Sequence, residues 1–381
     1  MSTESPSSLP KARYIMIGGF LGAGKTTAVS KLAQTLSTQG KRVGLITNDQ
    51  GMNLVDTAML RSQGFATEEI PGGCFCCRFN SLVDAANNLT AASRPDIFIA
   101  EPVGSCTDLV ATVTYPLRRL YGNQFEVAPV SVLIDPIRAE RILGLTEGRS
   151  FSPKVIYIYR KQLQEADILV ISKSDLLDEA RLDRLKTALS REYPEKQILS
   201  VSARTSTNLQ PWFDEILKGR QSSGTAMEVD YEVYAEGEAL LGWLNCTIQL
   251  QSSNGFDSGT ALNLLAGSIR DDLAAQNAEI AHLKMTLSPD DSLSGEIAAI
   301  NLVRSDFVPE LSYQLDEPVY SGQLILNLRA EADPEILAGT INRLVQTLTS
   351  NLPGLQAKLD HLEHFRPGKP TPTHRITCQT D

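Results

Sequence analysis

Tyr14-Ile15-Met16-Ile17-Gly18-Gly19-Phe20-Leu21-Gly22-Ala23-Gly24-Lys25-Thr26-Thr27 contains G-x-x-x-x-G-K-T, read from Gly19 to Thr26. The apolar run Tyr14 to Ile17 reads as a buried strand. Beyond Thr27, residues Ala28, Val29, Leu32, Ala33 and Leu36 recur at helical spacing. Strand, glycine loop and helix in that order are the context this pattern requires for holding phosphates. The glycines let backbone N–H groups turn inward onto phosphate oxygens, and the new helix adds its positive end. Gly19, Gly22, Ala23, Gly24, Lys25, Thr26 and Thr27 are therefore candidate nucleotide-binding residues. Lys25 would reach the β- and γ-phosphates, and Thr26 would ligate Mg²⁺. A plain strand-to-helix turn with an incidental lysine is set aside because pattern and context agree.

The chain around this loop has 381 residues, enough for two domains with ample core. It carries 45 acidic and 35 basic residues, a formal net charge of −10. That argues against a nucleic-acid binder held by a general basic field. No apolar run reaches the length of a membrane-spanning helix. Residues 1–12, rich in Ser and Pro, read as a disordered leader and not as a secretory signal. Three of the six cysteines crowd into four positions. This is no disulfide framework; it suits a reducing cytosol, hence a cytoplasmic protein, and a metal or redox site.

Downstream, Val43–Thr47 reads as a second strand delivering Asn48 and Asp49 into a loop that continues to Asp56. Ligands of such sheets sit beyond the carboxyl ends of the strands, so Asp49 and Asp56 are placed to contact Mg²⁺ or its waters. A solvated Asn-Asp turn is the bland alternative. Pro71-Gly72-Gly73 forces a turn ahead of Cys74, Cys76 and Cys77. Tetrahedral Zn–S bonds of about 2.3 Å place sulfurs roughly 3.8 Å apart. Cys74 and Cys76 share a face in extended chain, so a three-thiolate site needs a bend at Cys76–Cys77. Such soft ligands suit Zn²⁺ or another thiophilic ion, against buried cysteines or a redox pair. Ile97–Ala100 is a short apolar run, a central parallel strand with Glu101 at its carboxyl end. Glu101 can hold a Mg²⁺ water or orient the attacking water, and Gly104 can offer a backbone N–H to the γ-phosphate. Cys106 reads as a small buried residue.

Val130–Asp135 and Ala166–Ile171 are further strands, the second leading into Ser172-Lys173-Ser174-Asp175. A carboxylate at Asp175 can accept two hydrogen bonds from guanine; adenine would leave it unpaired. Lys173 would lie along the base. Gln197–Val201 reads as the last strand, with Ser202 and Ala203 at the base edge. Residues 219–230 read as a linker. After it come strands over Leu240–Gln251, Ile280–Leu287, Ile297–Val303 and Gly322–Arg329. Helices over Ala261–Asn277 and Pro334–Thr349 complete a ferredoxin-like α+β layer. His361 and His364, three apart, are a candidate metal pair. The Pro-rich tail, 366–381, is either disordered or docks on a client or on the nucleotide domain.

Together these residues resemble the CobW/HypB/UreG family of metal-handling P-loop GTPases, its CobW-like branch in particular, over about Arg13 to Leu217. The phosphate loop, Gly73-Cys74-Phe75-Cys76-Cys77, Glu101 with Gly104, Lys173 with Asp175, and Ser202-Ala203 carry the resemblance. Asp49, Pro102 and Ser172 stand where the family has Glu, a hydroxyl residue and Asn. The resemblance implies a P-loop GTPase domain over 13–218 with a mostly parallel sheet and helices on both faces. A CobW-like C-terminal α+β domain over 231–365 would follow. It implies slow GTP hydrolysis, with Lys25 and Glu101 as catalytic residues and Thr26, Asp49 and Glu101 around Mg²⁺. Cys74, Cys76 and Cys77 would carry a transition metal, zinc first, with cobalt or nickel as alternatives. The ion would go to a client metalloprotein or a cofactor-assembly enzyme. No nucleic-acid or membrane partner is expected, and a homodimer is among the allowed assemblies. Two other readings stay open: a metal-responsive regulator or buffer with negligible GTPase activity, and a nucleotide-dependent redox switch.

Overall fold

The computed structural model describes residues 11–51, 55–222, 224–290 and 295–379. The predicted leader, 1–12, lies outside these except for its last two positions, and β1 already begins at Ala12. Strands β1 (Ala12–Gly19), β2 (Val43–Asn48), β3 (Ala66–Ile70), β4 (Ile97–Glu101), β5 (Phe125–Val127), β6 (Ser131–Ile134), β7 (Ile168–Ile171) and β8 (Gln197–Ser200) form one sheet. Its order is β3-β2-β4-β1-β6-β7-β8, with β5 paired to β1. Every pairing in it is parallel. Such a sheet must be covered on both faces, which is why its central strands are apolar throughout. Along β1, Tyr14 and Met16 pack with Phe79 and Leu82 of one helix and Val155 and Ile158 of another. Ile15 and Ile17 point the other way, onto Ala28 and Leu32 and onto Trp212 and Phe213. Full burial of each large apolar side chain contributes about 1.5–3 kcal/mol.

The predicted linker region carries the two-residue strand β9 (Gly224–Thr225). A helix, Tyr231–Leu240, then follows, capped by the Asp230 carboxylate. The second sheet contains β10 (Leu241–Phe256), β11 (Glu279–Pro289), β12 (Ala298–Leu302), β13 (Glu310–Tyr313), β14 (Val319–Glu331) and β15 (Leu355–Phe365). Its order, β13-β12-β11-β14-β10-β15, is antiparallel throughout. The β15-β10-β14-β11 part, with helices Ser258–Ala275 and Pro334–Asn351, has the expected ferredoxin-like order, and β12 and β13 extend one edge.

Strand alternation explains how this sheet meets the first domain. Leu244, Cys246 and Ile248 of β10, Leu326 and Leu328 of β14, and Leu283 and Met285 of β11 face the two helices. The residues between them, Trp243, Asn245, Asn327, Arg329, His282 and Lys284, point away from that core. Trp243 belongs to the core of the nucleotide domain. The sheet is thus sandwiched, and polar residues that look solvent-facing in the sequence lie in an interface. His361 and His364 fall on β15, opposite Thr247 and Leu244. On a strand, residues three apart project from opposite faces, so they do not form the metal pair that the sequence suggests. Among the described residues no helix is long and apolar enough to cross a membrane.

Candidate functional site

The phosphate loop leaves β1 and turns into helix Lys25–Thr38 through three glycines with positive φ: Gly19 (+134°), Gly22 (+77°) and Gly24 (+89°). A Cβ at Gly19 would meet the Leu133 carbonyl oxygen at 2.5 Å, so both φ and space demand glycine there. Lys25 Nζ donates to the Gly19 carbonyl at 2.9 Å, holding the ammonium over the loop. Thr26 Oγ1 lies 2.6 Å from Asp56 Oδ1 and 2.9 Å from Glu101 Oε1. One hydroxyl proton cannot serve two carboxylates at once. Burial and the charge of Asp56 push the Glu101 carboxyl up to about 7, so it can bring its own proton. Glu101 Oε2 is buried without a partner. A hydroxyl and two carboxylates, one with a free oxygen, are a donor set fitted to a hard cation such as Mg²⁺.

Asp49 is held elsewhere. Its carboxylate accepts two hydrogen bonds from Arg329 of β14, at 3.0 and 3.2 Å, and one from the Gly51 N–H. Asp56 therefore takes the place beside Thr26 that the resemblance assigns to Asp49. Arg329 is fully buried and stacks on Trp243 at 4.0 Å.

A cavity of about 800 Å³ opens over the loop. Gly22, Gly24, Lys25, Thr26, Thr27, Glu101, Gly104, Lys173, Asp175, Ser202 and Ala203 line it, while Gly19 and Ala23 do not. Gly104 presses on the phosphate loop: a Cβ there would meet the Leu21 N at 2.9 Å. Lys173 Nζ donates to the Gly22 carbonyl (2.7 Å) and to Asp135 (2.9 Å). Ser172 Oγ lies within hydrogen-bond distance of the Ala23 carbonyl (2.7 Å) and the Ile134 carbonyl (3.0 Å). The serine thus ties the Ser172–Asp175 turn to the glycine loop. The opposite wall comes from the second sheet, through His282, Lys284, Val303 and Glu310. Arg138 rivets the two together. Its guanidinium donates to the carbonyls of Leu21, Ala281 and Val303 at 2.5, 3.2 and 2.7 Å.

The three cysteines follow β3 in a tight turn, in which the N–H groups of Cys77 and Arg78 both donate to the Cys74 carbonyl. That turn supplies the bend the site needs. The sulfurs of Cys74, Cys76 and Cys77 lie 2.7, 3.2 and 3.7 Å apart, a group able to hold one ion. Hydrogen bonds from Cys106, Cys76 and Cys77 hold the Cys74 thiol well below its ordinary range. Cys106 sits on the Gly104 loop, remote in sequence, and nothing local marks it as a neighbour of Cys74. A second tie runs from Asn48, whose side-chain amide donates to the carbonyls of Ile70 (2.8 Å) and Gly73 (2.6 Å). Asn48 also lines the cavity.

The tail covers this turn. The Thr371 N–H donates to Cys77 Sγ at 3.2 Å, and the Thr373 N–H to the Cys76 carbonyl at 2.8 Å. His374 meets the Phe79 ring edge-on, and Arg375 bonds the buried Asp108 at 2.7 Å. The segment β16 (Cys378–Gln379) then pairs with β9.

Residues 13–200 match the CobW/HypB/UreG nucleotide-binding domain. This domain belongs to the CobW/HypB/UreG family. The CobW/HypB/UreG domain of this chain is 32% identical over 166 residues to the zinc chaperone YeiR of Escherichia coli, 43% of this chain and 47% of that protein. It is 28% identical over 210 residues to a zinc chaperone CobW of Sinorhizobium, 49% and 58% of the two chains. The chain thus spans about half the length of the curated relatives it matches. Among solved structures it is similar to HypB from Helicobacter pylori in complex with nickel: TM-score 0.40, 20% identity, 54% of this chain and 86% of that one. The Zn(II)-bound YjiA GTPase from E. coli covers 88% of this chain and 99% of its own, at TM-score 0.34 and 14% identity. Neither structural likeness bears on ligand or activity.

Proposed function

We propose that the chain is a GTP-hydrolysing metallochaperone. It would carry a thiophilic ion, zinc first, on Cys74, Cys76 and Cys77, and deliver it to a client metalloprotein or cofactor-assembly enzyme. The observation that supports this most is the tie between the two sites. Asn48, which lines the cavity, joins the end of β2 to the start of the thiol turn, and Cys106, just past Gly104, is buried in the same core as Cys74. Anything that moves the nucleotide-facing loops is transmitted to the sulfurs through these contacts. The names of the zinc-chaperone relatives point the same way.

In this reading Asp175 selects guanine and Lys173 flanks the base. Lys25 and the loop N–H groups hold the phosphates, and the Gly104 N–H senses the γ-phosphate. Thr26, Asp56 and Glu101 would hold Mg²⁺, which supplies charge neutralisation at the phosphates. Glu101 keeps one oxygen free to orient the attacking water. Cys74, already the most acidic of the three thiols, would be the first to bind the ion.

The test is a chelator-competition measurement of Zn²⁺ affinity in Mg²⁺ with a non-hydrolysable GTP analogue, with GDP, or with neither. One Zn²⁺ per chain is expected, lost when all three cysteines become Ser, with GTP-analogue and GDP forms differing by roughly tenfold or about 1.4 kcal/mol. Equal affinities in the two nucleotide forms would remove the coupling. No binding in any form would remove the metallochaperone.

A further inference from the structure

His282 and Lys284 lie two residues apart on β11 and share the face turned toward the nucleotide domain. Lys284 Nζ is 2.5 Å from Asp56 Oδ1 and 3.3 Å from Thr26 Oγ1. Its side chain is largely buried, with 16% exposure, and lines the cavity beside Gly24 and Lys25. Thr26 is in turn bonded to Glu101. The ammonium therefore sits on the same oxygens that suit a hard divalent cation. An ammonium has three donors and no acceptor, so it pairs with acceptors and most strongly with anions. A lysine and a divalent ion on the same Asp56 oxygen repel each other, so each weakens the other's hold there.

We infer that Lys284 is a second phosphate-site cation, supplied by the C-terminal domain, which competes with Mg²⁺ for Asp56 and passes to the nucleotide phosphates when the ion binds. This rests on the nucleotide reading of the cavity. It assigns a role in that site to a residue outside the family-matched stretch, 13–200. It also links nucleotide loading to the docking of β11, since the ammonium cannot reach the phosphates unless the two domains are in contact.

The test titrates a fluorescent GTP analogue against the full chain, in EDTA and across a Mg²⁺ series. Wild type is compared with Lys284→Gln, Lys284→Arg and Lys25→Ala. Lys284→Gln should weaken binding at saturating Mg²⁺ by roughly tenfold or more, the loss expected of a charge-assisted hydrogen bond, with a smaller loss in EDTA, where the ammonium rests on Asp56. The same variant should need several-fold less Mg²⁺ for half-saturation, because the competitor is gone. Lys284→Arg should stay near wild type. Curves that superimpose on wild type, or that shift by one factor at every Mg²⁺ concentration as a packing defect would, overturn the inference. Loss of binding in Lys25→Ala under those outcomes leaves the nucleotide site itself standing. Absence of nucleotide binding in the wild type removes both. If thermal melting shows Lys284→Gln to be unfolded, Asp56→Asn replaces it. Freeing Lys284 from its anchor should then strengthen Mg²⁺-free binding, and unchanged binding overturns the inference.

Discussion

Glu165 shows how one buried carboxyl makes the fold sensitive to pH. It accepts hydrogen bonds from Thr107 Oγ1 and the Val110 N–H, both at 3.2 Å. Burial, and then the nearby Asp108, push it up to about 8 from an ordinary 4.5. Between those values the folded chain holds a proton that the unfolded chain has lost, so stability falls as pH rises, by up to about 1.4 kcal/mol per unit. Glu165→Gln keeps the shape, because its amide can face the Thr107 hydroxyl while its oxygen keeps the Val110 N–H. The variant should gain on wild type in urea unfolding from pH 5 to pH 8; a constant difference across that range would refute the assignment. At this scale the sequence is legible where function is local. Lys25, Thr26 and Glu101 are placed by motif and strand end, and the structure brings them together. Asp49 is not legible in this way, because its partner Arg329 lies 280 residues away and strand parity alone decides that they meet.

Among elements, the thiol turn and the tail form a unit. Thr371, Thr373, His374 and Arg375 hold the tail across Cys76 and Cys77. Removing residues 371–381 should therefore speed thiol labelling of Cys77 and the loss of bound Zn²⁺ to a chelator. Rates unchanged by the truncation would show that the tail does not guard the sulfurs. The sequence left the tail between disorder and docking, because residues 366–381, with three prolines and four threonines, carry no periodic signal. An edge strand of the first sheet and both edges of the second were also missed. β3 (Ala-Thr-Glu-Glu-Ile) and β13 (Glu-Leu-Ser-Tyr) are short and polar, as edge strands are. β15 did carry a signal: Leu355, Ala357 and Leu359 alternate, and an irregularity in its pairing with β10 then breaks the pattern before Leu362.

At the scale of the whole molecule, the second sheet has two buried faces, and the one toward the nucleotide domain is held by charge. Arg329→Met would leave Asp49, at 13% exposure, without its cation. Breaking such a pair should cost about 3 kcal/mol in urea unfolding, and Asp49→Asn added to it should restore part of the loss. Simple additivity of the two changes would mean that the pair does not act as a unit. The two fold classes were legible, the parallel sheet from its glycine loop and apolar strands and the α+β layer from hydrophobic patterning. The mutual placement of the two sheets was not, because an interface built from Asn, Arg, His and Lys reads as solvent-facing. The tail carries a consequence for biosynthesis. Thr371 follows Cys77 by 294 residues. At about 5–20 residues per second, a ribosome needs on the order of 15–60 s to make that stretch. A nascent chain thus has its thiol turn, and the sheet beneath it, well before the segment that closes over them. In that interval the three sulfurs are open to ions and oxidants alike.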